Sequence, residues 1–340
     1  MKTILVTGVG APGGPGILKS LNRNQFKLIG VDNNKEASGR FLVDHFYIVP
    51  RPRDKDYVDI LERIVVEHNV NLIIPLVTAE LTTLSKIKGK LKRHNCEVLV
   101  SNLKDLEIAN NKFKLQNHIK NFNIATTDYC LVKTYDDFLE LSNAFLDRYG
   151  EYCIKPCDSN GSRGVRIVKR NLNELHHYLH SKPNNLNVSH ESMARILCDQ
   201  EFPHLMISKV LNGPEVTIDC LCDRNGTPKI IIPRTRNQMR NGISIAGTFV
   251  NNKKIINYCK KILSTLKLFG PIGVQVKGDN NGEYYLLEVN PRLQGTSVAA
   301  RGAGVNLTEL SVNTGLGIDN HKINVKWGVS FVRIYDEIYF

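Results

Sequence analysis

Apolar residues fall along this chain in two rhythms, short runs closed by Gly or Asp and longer stretches recurring every three or four positions. Lys2–Thr7 is a run of the first kind and LIGVD, ending at Asp32, is another, so both predict strands. Between them the turn Gly8-Val-Gly10-Ala-Pro-Gly13-Gly14-Pro-Gly16 opens a helix through about Asn22. Asp56–His68 sets Val58, Leu61, Ile64 and Val65 at helical spacing, and strands follow at Leu72–Val77 and Glu97–Val100. Strand alternating with helix predicts an α/β domain ending near residue 105.

The rhythm then changes. A helix is predicted from about Lys112, then a turn and a strand, and a second, amphipathic helix over Asp136–Arg148 with Phe138, Leu141, Phe145 and Leu146 on its apolar side. Residues 181–200 are polar and give no assignment. A strand covers Lys229–Pro233, and Lys253–Lys267 is a basic helix whose apolar set is Ile255, Ile256, Ile262, Leu263 and Leu266. Val274 and Val276 lie on a strand joined through the Asp279–Gly282 turn to another at Tyr284–Val289, a hairpin. Beyond about residue 318, Val329, Phe331 and Ile334 predict one or two strands packed on the body.

Composition narrows the function classes. At 340 residues the chain has room for two or three domains. No apolar run approaches the roughly 20 residues of a membrane helix. MKTILVTGVG lacks the apolar stretch and cleavage site of a secretory signal, so a cytoplasmic location is expected. Eight cysteines show no framework or zinc spacing. The net charge of +12 comes without an aromatic-interleaved basic stripe, which points to small anions rather than nucleic acid.

The candidate chemistry gathers late in the chain. Glu288, Asn290 and Arg292 alternate along an extended segment and share a face, and the hairpin brings Gln275 near Glu288. One carboxylate and two amide oxygens suit Mg²⁺, which takes oxygen ligands and keeps waters and phosphates, and Arg292 is placed for phosphate oxygens. A surface ion pair on a hairpin is the alternative. Upstream, Lys155 ends a strand before the small-residue loop Gly161-Ser162-Arg163-Gly164, a mobile flap whose N–H groups can close over phosphates; the P-loop pattern is absent. Glu80 falls at a strand's carboxyl end, where it serves either a substrate amine or the following helix's N-terminus. The first glycine-rich turn with Asp32 has the outline of a dinucleotide site, but its two prolines depart from that fingerprint. His118 and His204 are isolated, and no general base stands out.

Gln275 followed by Glu288-Val-Asn290-Pro291-Arg292 resembles the metal-binding signature of the ATP-grasp superfamily, in the branch similar to the carbamoyl phosphate synthetase large subunit, and the likeness runs to about residue 315. The resemblance implies a Rossmann-like pre-ATP-grasp domain (1–105) that binds no dinucleotide, a linker helix and small lid subdomain (106–205), a large subdomain with the metal site (206–317) and a tail (318–340). It implies metal ligation by Gln275, Glu288 and Asn290, phosphate contacts from Lys112, Lys155, Gly161, Ser162 and Gly164, adenine beside Lys209, Val210 and Leu211 on a hinge strand spanning Leu205–Asp219, and ribose at Glu215. Ser208-Lys209 stand where many relatives carry an acid. Arg292, Lys155 and Arg236, the last favoured over Arg234, take the catalytic roles. The implied activity is that of a ligase using ATP and Mg²⁺, with Mn²⁺ as a substitute, to activate a small carboxylate as an acyl phosphate and join it to an amine. Carbamate or carbamoyl phosphate chemistry on bicarbonate and a non-catalytic nucleotide-binding protein are the alternatives. A homodimer is the default assembly.

Overall fold

The computed structural model describes residues 1–159, 161–182, 185–198, 201–321 and 323–340. Two compact units divide the chain, a larger one of residues 1–109, 215–275 and 289–340 and a smaller one of 110–214 and 276–288. Residues 1–105 and most of 206–317 fall in the larger unit, while 206–214 and 276–288 fall in the smaller one.

The larger unit opens with β1 (Lys2–Thr7), α1 (Gly14–Lys19), β2 (Phe26–Asp32), β3 (His45–Ile48), α2 (Tyr57–Glu67), β4 (Leu72–Pro75), α3 (Thr78–Lys92), β5 (Glu97–Val98) and α4 (Leu103–Ala109). The five strands form a parallel sheet in the order β3-β2-β1-β4-β5. Chain order reverses between β1 and β4, the place where open α/β sheets bind ligands beyond their carboxyl ends. Ile4, Val6, Leu28 and Leu72 bury one face against Ile17 and Leu18 of α1, and Leu5, Ile29 and Ile73 bury the other among Leu61, Ile64 and Leu81. The first helix stops at Lys19, short of Asn22.

The smaller unit contains α5 (Lys112–Asn121), β6 (Tyr129–Val132), α6 (Tyr135–Tyr149), β7 (Glu151–Pro156), β8 (Arg166–Lys169), α7 (Glu174–His180), β9 (Asn187–Ser189), α8 (His190–Leu197) and β10 (Leu205–Ser208). The sheet order is β6-β10-β7-β8-β9, antiparallel except between β8 and β9. Thr134 and Asp137 form a capping box on α6, and Gly150 ends that helix at φ +74°, where only glycine is unstrained. Phe138 and Leu146 carry it into a core with Tyr152, Ile154 and Val168.

The chain then returns with β11 (Glu215–Cys222), β12 (Pro228–Thr235), β13 (Gln238–Arg240), β14 (Ile243–Thr248), α9 (Lys253–Thr265), β15 (Gly270–Gly278), β16 (Tyr284–Asn290), α10 (Leu307–Leu316) and β17 (Ser330–Val332). β12-β11-β15-β16 form one sheet and β13-β14-β17 another. Two expectations need correction. Leu205–Asp219 is not one strand: β10 and β11 belong to different sheets, because Pro214 has no N–H to extend a ladder and Gly213 instead donates to Gly278 O. The tail contributes one strand, β17, against β14, within the one or two expected, and the correction there concerns Ile334. Val329 and Phe331 pack on the core, but Ile334 is 83% exposed.

Candidate functional site

Within the smaller unit, α5 begins at Lys112 because Asn111 caps it, accepting from Lys114 N, while Lys112 N donates to Cys157 O at 2.8 Å. The cap places the lysine's ammonium inside the fold, where Nζ donates to Ser159 O. Lys155 lies on β7 and, like Lys112, is only 7% exposed. Burial pulls the Lys112 pKa below its ordinary value, Glu288 pushes it back up and Lys155 pushes it down, so these three charges feel one another. The following flap runs through left-handed backbone at Gly161, Ser162 and Gly164 (φ +63°, +60° and +73°), and a side chain at Gly164 would strike Pro156. Ser159 Oγ ties the turn by donating to Arg163 O at 2.9 Å. Lys209, Val210 and Leu211 lie in the connection after β10 rather than on a strand, and Lys209 N donates to Asp128 O.

The hairpin between β15 and β16 closes as expected. Asp279 Oδ1 accepts from Asn281 N and Glu283 N, and Gly282 adopts φ +74°. Along β15 Gln275 is half-buried between buried Val274 and Val276; on β16 Glu288 is half-buried and Asn290 buried. Among the described residues no group of three or more His, Cys, Asp or Glu side chains stands ready for a metal. The oxygen donors expected here fit Mg²⁺, which brings waters and phosphates of its own.

In the larger unit Arg292 sits just beyond β16, its Nε donating to Thr78 Oγ1 at 2.9 Å and its Nη1 to Leu293 O at 3.0 Å. Arg236 and Glu215, assigned separately to catalysis and to ribose, are joined in an ion pair at 2.8 Å. Arg234, the less favoured arginine, is 2% exposed: its Nε donates to Asp219 Oδ2 at 2.7 Å and its Nη2 to Gln294 Oε1 at 3.4 Å. Nothing in the sequence distinguished this buried pair. Gln294 lies over Gly273, where any side chain would overlap it, and that glycine was the only sequence trace of the contact.

The glycine-rich turn is accounted for by the protein itself. A side chain on Gly13 would meet Gly295 Cα at 2.7 Å, and one on Gly14 would meet Val9 O at 2.0 Å. Asp32 accepts from Gly10 N and Asn34 N, so its carboxylate braces the turn. Arg333 binds across the same region, donating to Pro12 O and Gly295 O.

Glu80 is the third residue of α3, yet it is 7% exposed and accepts from Thr7 Oγ1 at the end of β1. Burial is the main cause that raises its pKa from 4.5 to about 7; the Thr7 bond opposes this and Asp32 adds to it. Among the described residues the buried Tyr57 hydroxyl has no hydrogen-bond partner, and it feels Glu80's charge. Helix spacing alone does not separate an exposed first-turn carboxylate from this buried one.

Two family models match the chain: PylC-like, N-terminal domain, over residues 4–99, and ATP-grasp in the biosynthetic pathway with Ter operon, over 201–334. Among curated proteins it is similar to a carbamoyl-phosphate synthase of Methanobrevibacter smithii, 22% identical over 204 residues covering 59% of this chain and 47% of that one. The chain therefore spans about half the length of this relative. An L-amino acid ligase from Bacillus licheniformis has the same fold, with TM-score 0.69 and 17% identity over 93% of this chain and 74% of that one. So does N5-carboxyaminoimidazole ribonucleotide synthetase, purK, in its ADP complex, with TM-score 0.73 and 16% identity over 97% and 81%. The resemblance carried by Gln275 and the Glu288–Arg292 stretch is borne out: residues 201–334 match an ATP-grasp domain, and a PylC-like N-terminal domain precedes it over 4–99.

Proposed function

We propose that this protein is an ATP-dependent carboxylate–amine ligase. The observation that carries the reading is the burial of Lys112 and Lys155 within electrostatic reach of each other. Two like charges held out of water are costly unless an anion accompanies them, and the triphosphate of ATP supplies such charge. Lys112, Lys155 and the Gly161–Gly164 flap bind phosphate oxygens in this account, Lys209–Leu211 lie beside adenine, and Glu215 lies beside ribose. Glu288, Asn290 and Gln275 hold Mg²⁺, which when bound neutralises charge on the phosphates. The purK structure was obtained with ADP, which supports a nucleotide of this class here.

Phosphoryl transfer asks little covalent chemistry of a protein, so positioning and charge dominate. A substrate carboxylate oxygen attacks the γ-phosphorus as the bond to the β-phosphate oxygen breaks, giving an acyl phosphate and ADP. An amine then attacks the acyl carbon, phosphate leaves, and the amine's proton passes to phosphate or solvent. Arg292 and Arg236 stabilise the developing charge. Glu80, beyond the carboxyl ends of β1 and β4, is the amine-side candidate. The relative's name favours bicarbonate as an alternative acceptor of phosphate.

The test is ADP release from Mg-ATP across amino acids, other carboxylates and bicarbonate, with hydroxylamine added to trap an acyl phosphate as its hydroxamate. Carboxylate-dependent ADP and hydroxamate support the ligase. ADP formation with bicarbonate alone replaces it by carbamate-type chemistry, and tight ATP binding with no turnover replaces it by a nucleotide-binding role.

A further inference from the structure

Helix α7 of the smaller unit buries none of its residues, and Leu175, Tyr178 and Leu179 are 69%, 83% and 63% exposed. A helix this short gains little from propensity alone and normally depends on packing. The described residues hold it by its first turn: Asn173 caps it, and Glu174 Oε1 accepts from Ser189 Oγ and Ser192 Oγ. Its last turn is tied locally, by Ser181 N donating to His177 O at 2.9 Å.

His176, in the first turn, and His180, the last residue of the helix, are four residues apart and therefore neighbours on one helical face. Their ring centroids are 4.5 Å apart with the planes tilted by 48°. Both residues are exposed, and among the described residues neither imidazole has a hydrogen-bond or ion-pair partner. His177, between them, is occupied elsewhere: its Nδ1 lies 3.2 Å from Ser181 Oγ and its Nε2 is buried. Two imidazoles one helical turn apart on one face can each offer a ring nitrogen to one ion, a donor set that suits Zn²⁺ or Ni²⁺. Mg²⁺, a hard ion that prefers oxygen, would not compete for it.

We propose that His176 and His180 form a two-histidine site for a borderline divalent transition ion, with water completing its coordination, and that the ion clips the last residue of α7 to its anchored first turn. The site is independent of the ligase reading, since it uses neither the nucleotide nor any residue assigned to it. Binding couples to order in the helix, because the clip exists only when both histidines are in helical register.

The experiment is calorimetric titration of the full chain, free of any histidine tag, with Zn²⁺ alone, alongside His176→Gln, His180→Gln and His177→Gln. Loss of a direct ligand should weaken the site by at least the roughly 10–100-fold that loss of a supporting group costs. His176→Gln and His180→Gln should each show that loss and His177→Gln should bind as the parent does. In the parent, Zn²⁺ should also slow amide hydrogen exchange across 174–180. Unchanged affinity in both outer variants, an equal loss in His177→Gln, or exchange unaffected by Zn²⁺ would overturn the proposal.

Discussion

Replacing Glu80 by Gln isolates the cost of a charge buried beneath the first sheet. The amide keeps the shape and still accepts from Thr7 Oγ1, but it cannot ionise. In the folded protein the carboxyl titrates at about 7 instead of 4.5. The unfolded chain therefore releases this proton first, and between those pH values the folded state holds more protons. Linkage then requires stability to fall as pH rises through this window and to be least affected below it. At about 1.4 kcal/mol per pH unit, Glu80→Gln should exceed the parent in stability by about 1 kcal/mol at pH 5 and about 3 kcal/mol at pH 8. Trp327, the single tryptophan, packs on the core of the same unit, so its fluorescence during urea unfolding reports the relevant transition. A parent–variant gap that is equal at pH 5 and pH 8 would refute the assignment of a raised pKa to this burial.

Arg234→Met leaves Asp219 buried without its cation and should lower the urea midpoint by the equivalent of about 3–5 kcal/mol, while Asp219→Asn with Arg234→Met should recover part of that loss. Gly14→Ala forces a methyl onto Val9 O and should cost at least about 1–3 kcal/mol, measured by thermal unfolding. Arg292→Ala should reduce carboxylate-dependent ADP release by roughly 10²–10³-fold with little change in folding stability; a turnover within a factor of a few of the parent would remove it from the catalytic set.

The strands and helices that were legible are those whose local signals agree with their tertiary setting. β1 and β2 are apolar runs closed by Gly8 and Asp32, α6 has Thr134, Asp137 and Gly150 at its ends, and Asp279–Gly282 is a turn by its own side-chain bonds. What failed to show were features set by packing. α7 buries none of its residues, and although Leu175, Tyr178 and Leu179 recur at helical spacing, the segment is too short to stand out by pattern. The break between β10 and β11 hides inside an apolar stretch, with Gly213 and Pro214 as its only marks. The Asn241-Gly242 pair was a strong hairpin signal, but β13 is only three residues long and wholly exposed, with Met239 its single apolar position.

At the candidate site, residue types were easier to foresee than their partners. The acid and Asn290 follow from period two along β16, Gln275 from the hairpin that links β15 to it, and the lysines from their places at a strand end and a helix start. The engagement of Arg236 by Glu215, of Arg234 by Asp219 and of Asp32 by Gly10 N depends on which elements pack together, and one-dimensional spacing holds no record of it.

Mg-ATP-dependent ADP formation, compared between the parent and Glu288→Gln with a carboxylate the parent accepts, bears most directly on the ligase proposal. Turnover should collapse in the variant and its residual activity should need more Mg²⁺. Parent-like turnover at parent-like Mg²⁺ would contradict the assignment of Glu288 and, with it, the metal-dependent phosphoryl transfer proposed for this protein.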